Sequence, residues 1–220
     1  MSRKQVDNFV QRLKASPSGA VFNPWWQIDE GNDIGPHAPA IRRKHLAGYF
    51  RERLGQARLA IVGEALGYRG GHFSGIPMTS ERMLLHKQRH IVAGIKPRRT
   101  SKPSVCPNGF SETTATIVWG ALLKIGVLPD EFVLWNAFPW HSFDPRRGLL
   151  SNRRPNKSEQ LSGRRVLKDF LELFPCEQIV ALGKIAGAQL EQLGVHAHCV
   201  RHPASGGAKL FRHQIAKIVR

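Results

Sequence analysis

The sequence predicts an α/β fold, a three-layer α/β/α sandwich around a central four-stranded parallel sheet. Four short apolar runs, at residues 59–62, 132–135, 178–182 and 195–200, are bounded by Gly, Pro, Asn or charged residues. Unbroken apolar runs of that length suit strands buried on both faces. Segments of helical spacing lie between them, and alternating strands and helices favour a parallel sheet covered on both sides. The 220 residues suffice for one domain with a substantial core. No internal repeat or composition break divides 1–220, which reads as a single domain.

Taken in order, residues 1–14 form a charged amphipathic helix with Val6, Phe9, Val10 and Leu13 on one side. Residues 16–39 are rich in Gly, Pro, Trp and Asn and form an ordered wrapping loop. A helix over 40–54 sets Ile41, Leu46, Tyr49, Phe50 and Leu54 near one face. The helix over 113–125 carries Ile117, Leu122, Leu123 and Ile125, with Ser111 and Glu112 at its start. Over 159–174 the apolar positions are Leu161, Val166, Leu167, Phe170, Leu171 and Phe174, and Pro175 stops the helix. A short helix at 184–193 is closed by Gly194, whose missing Cβ permits a left-handed cap. The five tryptophans, Trp25, Trp26 and Trp140 among them, are expected in the core.

Lys and Arg total 33 against 16 acids, a net charge of +17, so the partner expected is a polyanion. Three segments concentrate that charge. Residues 88–109 hold Arg89, Lys96, Arg98, Arg99 and Lys102 without an acid. Residues 138–158 hold Arg146, Arg147, Arg153, Arg154 and Lys157 against Asp144 alone, and 201–220 are free of acids. Converging on one rim, they would track a phosphate backbone. Cys106, Cys176 and Cys199 are far apart and form no CxxC pair, which argues against a cysteine-ligated zinc or iron–sulfur site. They read as thiols in a reducing compartment. No stretch approaches membrane-spanning length and the N-terminal helix lacks the apolar core of a signal peptide, so a cytoplasmic protein with no membrane partner is expected.

The chemistry is expected at strand ends. Gly63-Glu64-Ala65-Leu66-Gly67 follows the first apolar run and His202-Pro203-Ala204-Ser205 follows the last. In open parallel sheets ligands collect at the carboxyl ends of strands, so this carboxylate and histidine could share one pocket. The Gly-rich loop at 63–71 lacks both the Walker Gly-Lys-Ser/Thr and the GxGxxG spacing, which weakens a reading as a phosphate cradle.

The stretch beyond that loop is more specific: Tyr68-Arg69-Gly70-Gly71-His72-Phe73-Ser74-Gly75-Ile76-Pro77-Met78-Thr79-Ser80-Glu81-Arg82. With Leu134-Trp135-Asn136-Ala137, Val180-Ala181-Leu182-Gly183 and His202-Pro203-Ala204-Ser205, in that order over 59–215, the string resembles the uracil-DNA glycosylase superfamily. In the iron–sulfur branch of that superfamily the first motif reads Gly-Glu-Ala-Pro-Gly, followed by Gly-x-Pro-Phe; the second is His-Pro-Ser-Pro or a close variant. The resemblance implies a monofunctional DNA glycosylase hydrolysing the N-glycosidic bond of uracil, and of other deaminated bases, in DNA. A uracil-DNA binder without efficient turnover is the alternative. Since the branch's four cysteine ligands are absent, no cluster, metal or other cofactor is expected.

The resemblance also implies roles. Glu64 would offset positive charge on the sugar and position water, and His202 would donate to the carbonyl oxygen where the leaving anion's charge gathers. Asn136 would read the uracil edge, its amide accepting from N3–H and donating to O4. Gly63, Ala65, Gly67 and Ser205 complete the substrate contacts, with Met78 in place of the stacking Phe and Phe73 as an alternative platform. Gly67 stands where the tightly uracil-specific branch has Tyr, which removes a wall near the base's C5. Leu66 replaces the usual Pro, and Ala65 stands where the most efficient branch has Asp. Arg69, Lys209 and Leu210 are the DNA-contact candidates, Leu210 as the wedge into the vacated stack.

Overall fold

The computed structural model describes residues 2–86 and 91–219; Arg89 of the first basic segment lies outside them. Helix α1 (Arg3–Arg12) and the two-residue strand β1 (Val21–Phe22) lead to α2 (Ala38–Arg53) and β2 (Leu59–Ala65). Two short helices come next, α3 (Gly71–Ser74) and α4 (Glu81–Leu85), then α5 (Thr113–Lys124), β3 (Phe132–Phe138) and β4 (His141–Ser142). The chain ends with α6 (Lys157–Leu173), β5 (Gln178–Leu182), α7 (Lys184–Glu191), β6 (His198–Val200) and α8 (Ala208–Ile218). The main sheet is four-stranded and parallel, in the order β3-β2-β5-β6. Among the described residues no helix is long and apolar enough to cross a membrane.

Strand alternation sorts the two faces. Trp135 points to the side where Phe170 of α6 stacks on it at 5.3 Å and Phe9 of α1 meets its edge at 5.3 Å. Phe50 of α2 lies 5.5 Å away and Trp25 of the wrapping loop 6.1 Å. Phe132 points the other way and meets Trp119 of α5 at 4.8 Å. Asn136, next along β3, therefore shares the face of Phe132 rather than that of the aromatic cluster.

Several element boundaries differ from the sequence expectation, and those of β2, β3 and β6 matter for the site. β2 continues three residues past Val62, because Gly63 and Ala65 pair in register with Asn136 and Phe138 of β3. Asn136 is thus inside its strand, not at its end. β6 begins only at His198, three residues later than the apolar run suggests. Its partner β5 offers pairing only for Val180 to Leu182. α6 begins two residues earlier than expected because Asn156 and Glu159 form a reciprocal capping box, with N···O distances of 2.9 and 2.8 Å.

The wrapping loop is ordered by buried polar contacts. Arg42 of α2 forks onto Asp33 at 2.6 and 2.9 Å, and also donates to the carbonyls of Gln27 and Pro24. Both side chains are fully buried. Trp25 Nε1 donates to the Gly75 carbonyl at 2.9 Å, joining the wrapping loop to the loop after β2. Removing one member of such a buried pair leaves the other charge uncompensated. Asp33→Ala should therefore lower the unfolding free energy by about 3–5 kcal/mol in urea titrations; a loss below about 1 kcal/mol would show that this ion pair does not hold the loop.

Candidate functional site

A cleft of about 410 Å³ opens at the carboxyl ends of β2 and β3. Its lining includes Gly63, Glu64, Ala65, Leu66 and Gly67 from the end of β2 and the loop beyond, Asn136 from β3, and His202 and Ala204 after β6. Met78, Glu112, Thr114, Asn152, Arg153 and Arg154 complete it. The strand-end placement expected of Glu64 and His202 thus brings them to one cleft, and Asn136, from inside β3, lies beside them.

Asn136 is almost wholly buried, and neither its Oδ1 nor its Nδ2 has a hydrogen-bond partner among the described residues. A buried amide left unpaired costs on the order of 1–3 kcal/mol, so the fold tolerates a strained polar group here. Gly63 makes room for it: a Cβ at that position would lie 2.6 Å from Asn136 Oδ1. It would also lie 3.4 Å from the Met78 sulfur, so amide and thioether share one floor. Met78 holds this place with φ at 47°, a conformation that non-glycine residues rarely adopt.

His202 is half-buried, and its Nδ1 accepts a hydrogen bond from the Ala204 backbone N–H at 3.1 Å. Burial, with Arg201 adding repulsion, pushes its pKa below the ordinary histidine value. A neutral ring whose Nδ1 accepts carries its proton on Nε2, so His202 presents an N–H donor. Burial raises the Glu64 pKa, while Arg154, 3.8 Å away, opposes that shift.

The loop at 151–156 is fixed from behind. Arg153 forks onto Glu159 at 2.8 and 2.6 Å, and Asn152 Oδ1 accepts from the Tyr68 backbone N–H at 3.0 Å. His141 Nε2 meets the Ser151 carbonyl at 2.7 Å, so it donates there and leaves Nδ1 to face His72 Nδ1 at 3.0 Å. His72 Nε2 in turn lies 3.1 Å from Asp29 of the wrapping loop. Burial, then His72, pushes His141 down to about 3, so its ring is neutral. One buried chain thereby joins the wrapping loop, the loop after β2 and the cleft loop.

Other sequence candidates lie elsewhere. Phe73 is fully buried and stacks on Phe110 at 4.2 Å; it does not line the cleft, so Met78 is the platform candidate that the structure places there. Ser205 sits on an exposed turn with φ at 51°, outside the cleft lining. Arg69 is exposed and folds onto Tyr68, donating to its hydroxyl at 2.8 Å. Lys209 and Leu210 are exposed on the first turn of α8, Leu210 at 50%. Among the described residues no three His, Cys, Asp or Glu side chains converge as a metal site.

From sequence, Glu112 is expected only as a helix start. It is the N-cap of α5, but its side chain makes no capping bond and turns to the cleft. Its carboxyl lies where side chains at Gly67 and Gly70 would be: a Cβ on Gly67 would meet Glu112 Oε1 at 2.9 Å, and one on Gly70 would strike Oε2. Oε2 is sealed from solvent without a partner, and burial pushes the pKa up to about 7. The sequence does carry one signal, since Ser, Thr, Asp and Asn are the preferred N-caps and Glu is not.

The model of the uracil DNA glycosylase superfamily matches residues 52–217, which include every segment of the cleft. The chain belongs to this superfamily. Its family is thus one of DNA glycosylases, as the motifs imply. The crystal structure of wild-type SMUG2 from Pedobacter heparinus is similar in fold, with a TM-score of 0.64 at 12% identity over 97% of this chain and 95% of that one. No curated protein matches the sequence.

Glu112 makes a pH test of the superfamily fold in this chain. Its folded pKa lies above the ordinary 4.5, so its stabilising contribution is complete below that value and is lost as pH rises to about 7. Relative to Glu112→Gln, the wild type should lose about 1.4 kcal/mol of unfolding free energy per pH unit across that window. Urea unfolding at several pH values reads this directly, and parallel curves would show that Glu112 is not buried as a neutral acid.

Proposed function

We propose that this chain hydrolyses the N-glycosidic bond of uracil, and of other deaminated bases, in DNA, as a step in base excision repair. The observation that carries the reading is the buried, unpaired amide of Asn136 at the floor of a cleft shared with Glu64 and His202. Uracil offers an N3–H donor and an O4 acceptor side by side, the complement of a carboxamide. The cleft lies at strand ends, so the nucleotide must leave the duplex stack to reach it.

In the step proposed, the C1′–N1 bond breaks and its electron pair goes to the base. The base is then an anion whose charge gathers on its carbonyl oxygens, where His202 Nε2–H donates. The sugar develops positive charge, and Glu64, ionised above its raised pKa, offsets that charge and holds the water that adds to C1′. The proton released from water balances the base anion as product forms. Substrate recruitment fits the +17 charge. A second groove of about 1040 Å³ shares Glu64, Arg154 and His202 with the cleft and carries Lys184 and Arg201, a path suited to a phosphate backbone. The alternative, a uracil-DNA binder of slow turnover, is favoured by Arg154, whose cation stands beside Glu64 where positive sugar charge would develop.

Release of free base from a single-uracil oligonucleotide separates the two. His202→Ala and Glu64→Gln should each lower single-turnover release by about 10²–10³, with DNA affinity changed far less, because both groups act mainly on transition-state charge. Wild-type protein that binds uracil-DNA tightly and frees no base would establish the binder instead.

A further inference from the structure

Gly67 leaves open one side of the cleft, and the structure closes it from another element. The Glu112 carboxyl, delivered by the start of α5, fills the notch over Gly67 and Gly70 that a side chain at position 67 would otherwise occupy. Asn136 and Met78 hold the floor of the same cleft beside Gly63, four residues earlier in the segment that bears Gly67.

We propose that Glu112 is a specificity-determining residue, the wall against which the C5 edge of a bound pyrimidine lies. The inference rests on the reading of the cleft as a uracil pocket. It replaces the sequence expectation of a relaxed pocket at Gly67: selection against 5-substituted bases is retained, but a carboxyl supplies it. A bulky C5 substituent would press on the carboxyl whose Oε1 stands where a side chain at Gly67 would lie, and removing or adding a methyl-sized group in such a pocket changes rates by roughly 10–200-fold.

The wall works as an uncharged acid. The cations nearest in the lining are already engaged, Arg153 with Glu159 and Arg154 with Glu64. Glu64, from β2, brings a second carboxylate to the same cleft, and burial, with Arg201 adding repulsion, disfavours a cation on His202, from the loop after β6. Arg69, on the loop that Glu112 covers, is turned out onto Tyr68. Ionised, Glu112 would be an unpaired charge against the base, so binding selects its protonated form, and burial already favours that form near neutrality.

The test measures free-base release from oligonucleotides carrying one uracil, 5-fluorouracil or 5-bromouracil. Both halogens stabilise the leaving anion, so the fluoro-to-bromo rate ratio isolates size. The wild type should favour fluoro at least tenfold. Glu112→Ala should lower that ratio tenfold or more, and Glu112→Gln, which keeps the volume, should retain it at pH 6. On plain uracil, wild-type release should fall between pH 6 and pH 8 through a limb that Glu112→Gln lacks. A ratio unchanged in Glu112→Ala, or a limb shared by wild type and Glu112→Gln, overturns the proposal; if the alanine variant does not fold, the pH comparison decides alone. Wild-type protein releasing no uracil is a different result, since it removes the uracil pocket itself.

Discussion

The parallel register of β2 against β3 is the constraint on which the site depends. It sets Gly63 opposite Asn136 on the face away from the Trp135 cluster, and Ala65 opposite Phe138. Because the pairing runs beyond the apolar core to Ala65, Glu64 and Gly67 emerge beside Asn136 rather than a turn away. β5 continues the sheet on the other edge of β2, and β6 beside it delivers His202 to the same end. Three segments distant in sequence meet because parallel strands all end on one side.

Two kinds of buried polar group bear on the cleft. Arg42 with Asp33, and the chain from Asp29 through His72 and His141 to the Ser151 carbonyl, are buried and each member has a neighbour within hydrogen-bond distance. They hold the wrapping loop and the cleft loop in place. Asn136 and the inner oxygen of Glu112 are buried and unsatisfied, as are single atoms of Trp26, Arg53, Ser80, Trp135 and Ser142 away from the cleft. Unsatisfied groups weaken a fold, and Asn136 and Glu112 both line one cleft, with the satisfied networks as the rigid frame behind them. A site built this way holds its donors and acceptors in position before a ligand arrives, which is the condition under which they act most strongly on developing charge.

Much of this is legible in the sequence. The four apolar runs mark the sheet, strand-end logic joins Glu64 to His202, and the family resemblance adds Asn136. The boundaries are less legible: Gly63 to Ala65 and Asn136 to Phe138 pair as strands although glycine and asparagine are poor strand formers, because pairing to a neighbour decides. Phe73 looks available for stacking in the sequence, but its partner Phe110 lies far along the chain and takes its face. Glu112 reads as a helix start because its role depends on two glycines more than forty residues earlier, a packing relation that no local pattern encodes.

The central claim is that the Asn136 amide is kept unpaired to read a base, and its own resonance tests that claim most directly. In the isotope-labelled protein, the Asn136 side-chain NH₂ signals can be followed while an oligonucleotide is added whose single deoxyuridine bears a 2′-fluoro group to slow cleavage. Hydrogen bonding to O4 predicts a downfield shift of one amide proton with the uracil oligonucleotide and none with its cytosine counterpart, which presents an amino group there. Signals that stay in place while the protein is saturated with uracil-DNA would contradict the account.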